Sequence, residues 1–487
     1  HVGINSACPL PSVPTFCRWR SPSGNDLLLV YQKDYGEDEV LPDGKTVVSI
    51  NFTGDNHGPH SYERVKKIYA DLRKRYPQAQ LVGASFNDVA RELLLIKKDL
   101  PVVTSEIGDT WIFGYGGAPI RMAKFRAVSR LYSQWLNEGK IKKDSDVALD
   151  FAAELGLIAE HTQGVDVKTH LRQWDKYDMD KFLKGRSEGV FSMAEASWKE
   201  IDNYIDSAIA FLPASLQKEA REVVAEVDKV KLEDNSKMKP MARKRWEQPI
   251  AGGMTLAGLS YQMFDGGDYD DFQNRYLRAR YGWALDDLGK RGLKESHAVS
   301  VTLYAQTMAQ SVRKEKKGTR IITELRFPEN EKVDKRVYPE RIQVNCFTTK
   351  NGKRSEVALT IYGKPAVRLP ESYWLSFTVP GIESVIAEKM GERVDLMDVV
   401  EKGNRQMHGI DRYVDLITSG ETIRISSKEA FLLNVGEAQG LNYSTNYPDK
   451  RKGVHFNLNN NLWGTNFSMW NEGSLTYHFV IETLYRK

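Results

Sequence analysis

Three hydrophobic periodicities succeed one another along this sequence, and a chain patterned that way cannot close over one uniform core. Up to about residue 110, short runs that are apolar throughout appear at 25–32 (NDLLLVYQ), 45–52 (KTVVSINF), 79–84 (AQLVGA) and 100–104 (LPVVT). Such runs suit strands buried on both faces. Between the second and third, Val65, Ile68, Tyr69, Leu72 and Tyr76 recur at helical spacing, and a second helix is expected from residue 87 to about 97. Strand, loop and helix in alternation is the unit of a parallel sheet or barrel, whose active site is built on the loops leaving the strands.

From about 119 to 233 the period is helical. Met122, Phe125, Tyr132 and Leu136 form one stripe that Gly139 would close. Ser145 would cap a helix with the face Val147, Phe151, Leu155 and Ile158, which His161 continues. Trp198, Ile201, Ile205, Ala208 and Leu212 mark a further helix. Beyond 249 the alternation has period two, with a Lys-Asn-Gly-Lys hairpin signal at 350–353. The expected fold class is therefore multidomain: α/β, then all-α, then all-β. Residues 1–115 would form part of an α/β barrel, 116–235 a bundle of three or four helices, and 245–487 one or two antiparallel β-sandwich domains. The stretch 234–248 reads as a linker.

Composition excludes some functions. Lys+Arg number 69 against 65 Asp+Glu, and the net charge of +4 is spread along the chain. That is too little to argue for nucleic acid or an acidic membrane surface. The longest mainly apolar stretch, 147–158, contains Asp150 and Glu154 and is too short to span a bilayer. Cys8, Cys17 and Cys346 match no zinc-finger spacing, and two thiols at 8 and 17 are favoured over a bridge. Residue 1 is His, so the sequence is expected to begin inside a longer protein or at a processed end.

Two expected strand-end loops carry chemistry. GDNHGPH (54–60) places Asp55, Asn56, His57 and His60 together between glycines that let the backbone approach a ligand. The plainer reading is a turn whose Asp55 or Asn56 caps the next helix. SEIGDTW (105–111) supplies Glu106, Asp109 and Trp111, carboxylates for sugar hydroxyls and an aromatic face for a pyranose ring, or else core packing. His161 on an apolar face is more often a core residue than a ligand, and a catalytic zinc needs partners for it. FNLNNNLWGTNFSMW (456–470), rich in Asn and Trp, reads first as sandwich core with side-chain-bonded turns and second as a sugar site. No Walker loop, GxSxG elbow, HExxH or CxxC pair occurs.

The segments HVGINSACPLPSVPTFCRWRSPSGNDLLLVY, INFTGDNHGPHSYERVKKI, PVVTSEIGDTWIFGYGGAPIRMAKFRAVSRLY, AEHTQGVDVKTHL and GVHFNLNNNLWGTNFSMW run in this order almost from end to end. Together they resemble a bacterial family beside the glycoside hydrolase family 38 α-mannosidases. The resemblance implies the C-terminal part of such a protein: the end of a seven-stranded α/β barrel, a helical bundle and β-domains. It also implies a retaining mechanism, in which the two carboxyls stand about 5–5.5 Å apart. Asp55 lines up with the acid/base of the Gly-Asp loop, and the loop at 105–111 with the one that contacts the sugar. His161 falls on a zinc-binding His, although Glu160 and Thr162 replace its flanking His and Asp.

The family's His-x-Asp zinc pair and nucleophilic Asp lie upstream of HVGIN, and no His-x-Asp occurs here. The expectation is thus a retaining, zinc-dependent exo-α-glycosidase of the α-mannosidase type, of which this chain holds part of the active site. Asp55 would be the acid/base, His57, Glu106, Asp109 and Trp111 the substrate contacts, and His161 a ligand for zinc or another divalent metal. Its partners would be a glycan and an N-terminal segment or companion chain, with no nucleic acid and no membrane; a homo-oligomer is compatible with the sequence. Export to the periplasm or beyond is implied by the resemblance alone. The rivals are a non-catalytic carbohydrate-binding protein on the same scaffold and another metal-dependent hydrolase such as a deacetylase.

Overall fold

A computed structural model describes residues 2–3, 7–34, 36–54, 57–108, 111–160, 163–234, 236–464 and 466–484. Its chain divides into two units, the first made of His1–Gly108 with Tyr276–Tyr281 and Asp398–Gly403, the second of all the rest.

The first unit holds β1 (Val2–Gly3), β2 (Phe16–Arg20), β3 (Asp26–Gln32), β4 (Asp38–Val40), β5 (Val47–Ser49), α1 (Tyr62–Arg75), α2 (Phe86–Leu95) and β6 (Val102–Val103). The expected parallel arrangement is only partly present. The sheet order is β1-β3-β2-β6, and its central pair, β2 and β3, is antiparallel. The turn between them explains this. Ser21 N donates to Asn25 O, Gly24 N donates to Ser21 O, and Gly24 takes φ +89°, a conformation glycine reaches at no steric cost. Polar residues had masked β2, whose Arg18 and Arg20 pair across the hairpin with Asp26. The run at 45–52 contributes only β5, paired with β4 in a separate two-stranded sheet. The run at 79–84 forms no strand and leaves Val82 exposed. No closed barrel forms among the described residues. Phe16, Val30, Leu41, Val48, Leu93 and Leu100 pack as the core of this unit.

In the second unit the helical pattern is realised as α3 (Pro119–Asn137), α4 (Asp146–Gly156), α5 (Val167–His170), α6 (Met179–Ser187), α7 (Ser192–Ala210) and α8 (Ala214–Asp228). Gly139, at φ +69°, follows the end of α3, and Ser145 caps α4 by accepting from Ala148 N. Val128, Trp135, Phe151, Ile158, Ile205 and Ala208 meet in one buried cluster drawn from α3, α4 with its C-terminal turn, and α7, which residues of α8 complete. Each large apolar side chain fully buried there stabilises by about 1.5–3 kcal/mol.

The β region forms two antiparallel sheets. One has seven strands, with Thr255–Met263, Glu371–Thr378, Val454–Asn460 and Leu432–Val435 adjacent in that order. The other has ten, among them Arg341–Thr349 and Arg354–Lys364, the hairpin expected around residues 350–353. Phe377 and Phe456 of the first sheet pack on Phe479 of the second at 5.3 and 5.0 Å between ring centroids, which makes a sandwich. The stretch expected as a linker is instead laid onto the sheets. Lys239–Pro240 is the edge strand of the ten-stranded sheet, and Trp246 is buried with its backbone N–H donating to Ala305 O. Met238 and Trp246, both buried, anchor an otherwise charged segment.

Candidate functional site

The loop before α1 is built from its own hydrogen bonds. Ser61 Oγ accepts from Arg64 N at 3.2 Å and is the N-cap of the helix, the position the turn reading gave to Asp55 or Asn56. Upstream, Thr53 Oγ1 donates to Gly58 O at 2.9 Å, and His60 Nε2 lies 3.1 Å from Asn51 O. Gly54 sits at φ +122°, and a Cβ there would meet His57 Cδ2 at 3.0 Å, so the glycine lets the imidazole fold back over the chain. His57 is exposed. Asp55, the candidate proton donor, lies outside the described residues, as does Asn56.

The loop after β6 is held more firmly. Glu106 N donates to Asp398 O and Val400 N donates to Glu106 O, both at 2.9 Å, so the returning segment Asp398–Gly403 pairs with it through a parallel bridge. Ser105 Oγ donates to Asp398 Oδ1 at 2.5 Å, and Trp19 Nε1 donates to Ser105 O at 3.0 Å. Glu106 is half-buried, and Trp19 keeps part of its indole exposed. Trp19, Ser105 and Asp398 therefore join Glu106 in one constellation. Nothing local in the sequence marks Asp398, which lies nearly three hundred residues along the chain and enters by tertiary pairing alone.

Trp111 belongs to the second unit, where it opens the 3₁₀ segment Trp111–Gly117. Its ring stands edge-on to Phe467 at 5.4 Å, and Tyr115 meets the same ring at 5.7 Å. The glycines here are contact residues. A Cβ on Gly114 would lie 2.4 Å from the Phe467 ring, and one on Gly116 2.2 Å from Asn460 Nδ2. Trp111 is thus at least partly a packing residue. Asp109 lies outside the described residues. The predicted contacts His57, Glu106 and Trp111 therefore fall on two loops of the first unit and one segment of the second.

His161 also lies outside the described residues. The helix whose stripe it was expected to continue ends earlier: α4 stops at Gly156, Leu157–Ala159 tightens to 3₁₀, and Glu160 is extended. Gln163 is buried next to it, donating to Ile158 O and Glu160 O and accepting from Arg121 Nη1 at 3.0 Å. Tyr115 donates to Ala159 O, and burial, with Glu160 nearby, pushes its phenol up to about 12. Among the described residues no three His, Cys, Asp or Glu gather as a metal would require, so these residues alone do not make a zinc site.

The Asn-rich stretch is core. Asn457, Asn459, Asn460 and Asn461 are buried; Asn460 Nδ2 donates to Phe113 O, and Asn461 Nδ2 to the carbonyls of Val367, Leu369 and Met469. Cys8, Cys17 and Cys346 are buried thiols. Among the described residues, no helix is long and apolar enough to cross a membrane.

Residues 116–247 match a family model described as a domain of unknown function, DUF5054. No curated protein matches the sequence. Among solved structures, an α-mannosidase from Enterococcus faecalis V583 is similar at 9% identity, with a TM-score of 0.47, over 97% of this chain and 69% of that one. A glycosyl hydrolase family 38 protein from Enterococcus faecalis is similar at 10% identity, with a TM-score of 0.41 and the same coverage.

Proposed function

We propose that this chain is part of a retaining, zinc-dependent exo-α-glycosidase of the α-mannosidase type acting on glycans. In this reading Asp55 holds the proton for the leaving oxygen. His57, Glu106, Asp109 and Trp111 bind sugar hydroxyls and the ring, and His161 is a ligand for zinc or another divalent metal. The nucleophile and the remaining metal ligands are assigned to polypeptide outside this sequence. Export to the periplasm or beyond belongs to the same proposal.

The observation that carries it is the grip on the loop at 105–108. A carboxylate whose backbone N–H and C=O are both bonded to residues 398–400, beside an indole bonded to the same loop, is a pre-positioned pair of the kind sugar recognition uses. The reaction class comes from the resemblance of the segments around it.

The test is hydrolysis of α-mannosides by the complete protein and its Asp55→Asn variant. Loss of a general acid should lower turnover by about 10²–10⁴ on alkyl mannosides, and far less on dinitrophenyl mannoside, whose leaving group needs no proton. Equal turnover of wild type and variant on the alkyl substrate refutes the acid assignment. Release of acetate in place of free sugar would replace the glycosidase by a deacetylase.

A further inference from the structure

The second unit carries a cleft of about 330 Å³ where the first turn of α3 meets α7 and residues 468–472. That is the lower end of the ~300–1,000 Å³ of small-molecule sites, the scale of one sugar ring rather than a chain. Arg121, almost fully buried at the cleft wall, fixes its frame: Nε donates to Asp202 Oδ1 at 2.6 Å and Nη2 to Trp198 O at 2.9 Å. The charges around it are matched in pairs, Arg121 with Asp202, Lys124 with Asp228, and Arg186 with Glu472. A neutral ligand suits such a lining better than an anion. Trp198 stands edge-on to Trp470 at 4.8 Å and stays partly exposed on the cleft wall. α3 begins Ala118-Pro119 with no side-chain cap, and Ala118, Pro119 and Ile120 line the cleft.

Next to this cleft is a small cavity of about 20 Å³, enough for one hydroxyl or water. It shares Pro119, Ile120, Asn471 and Glu472 with the cleft and is otherwise walled by Lys364, Asn459 and Tyr477, among others. Asn459 is 2% exposed, and its Oδ1 has no hydrogen-bond partner among the described residues; Asn471 Nδ2 likewise has none. Lys364 is already engaged, with Glu371 at 2.5 Å and Asn471 O at 2.8 Å. The throat therefore offers an open acceptor and an open donor, the pattern that one hydroxyl satisfies.

We propose that this cleft is a binding site for a neutral hexopyranose. A hydroxyl enters the throat between Asn459 and Asn471, the ring lies along Trp198, and further hydroxyls donate to Asp202 and Asp206. The site uses neither the loop at 54–60 nor that at 105–108, so it goes beyond the glycosidase reading and stands without it.

The experiment is ligand-observed NMR titration of the full chain with methyl α-mannopyranoside, methyl α-glucopyranoside and methyl β-galactopyranoside. At least one should bind saturably. Asp206→Arg, at an exposed position of the wall, and Asn471→Ala, which keeps the backbone carbonyl bound by Lys364, should each weaken it about tenfold or more. Absence of binding for all three sugars overturns the proposal, as does wild-type affinity in both variants. Binding that survives Asp206→Arg but is lost in Glu106→Gln places the sugar on the first unit's loop; it overturns this site and leaves the glycosidase reading standing.

Discussion

Replacing Lys364 by Met should cost far more than a lost surface ion pair. Glu371 is fully buried, with Lys364 Nζ 2.5 Å from one carboxylate oxygen and the Tyr261 hydroxyl donating to the other at 2.8 Å. Removing the cation strands a charge where water cannot reach it, a loss of about 3–5 kcal/mol at neutral pH. The carboxyl is already held above its ordinary value by burial, and Lys364 is the main influence pulling it down. Without that influence it rises further. A carboxyl whose folded value exceeds its unfolded value of 4.5 stabilises the fold when protonated. The deficit of Lys364→Met should therefore be smallest in acid and grow as pH rises through the folded value. Glu371→Gln added to Lys364→Met should recover most of the loss, because the amide oxygen still accepts from Tyr261. Urea unfolding at pH 5 and pH 8 compares both variants with the wild type. A Lys364→Met loss below about 1 kcal/mol and equal at both pH values would refute the claim that this pair is electrostatically isolated.

His455 gives a pH dependence of the opposite sign. Burial holds its imidazole down at about 4 against an ordinary 6.5, with Nδ1 on Ser376 Oγ at 2.8 Å. Stability should fall as pH drops from 6.5 towards 4, by roughly 3 kcal/mol in all at ~1.4 kcal/mol per unit. His455→Asn should flatten that limb of the stability–pH curve measured by denaturant unfolding, and an unchanged limb would count against it. Gly114→Ala should lower stability by about 1–3 kcal/mol, since its Cβ would fall 2.4 Å from the Phe467 ring. Thermal unfolding measures the loss, and Phe467→Leu in the same chain should return part of it; a Gly114→Ala variant as stable as wild type would contradict the close approach.

The helical middle of the chain was the most legible part. Phe151, Leu155, Ile201 and Ala208 declare their faces at 3.6-residue spacing, and Gly139 and Ser145 mark ends that the chain then obeys. The 350–353 hairpin was equally local, set by one Asn-Gly turn. The start of the chain misled because an apolar run shows burial without naming its neighbour. The run at 25–32 is a strand as expected, buried in its second half, yet beside the parallel β1 it pairs with the antiparallel β2, whose two arginines hide a strand that cross-pairing with Asp26 stabilises.

The candidate site divides the same way. Gly54 with His57, and Glu106 with Trp111, could be singled out because the chemistry of each pair lies within a few residues of sequence. What holds Glu106 could not be read, since Asp398 and Val400 reach it from a distant segment. Nor could the packing of Trp111 against the ring of Phe467. Periodicity, caps and turns are nearest-neighbour properties and are written into the sequence directly. Pairing across hundreds of residues, and the burial that moves the acidity of Glu371 and His455, exist only once the sheets have packed.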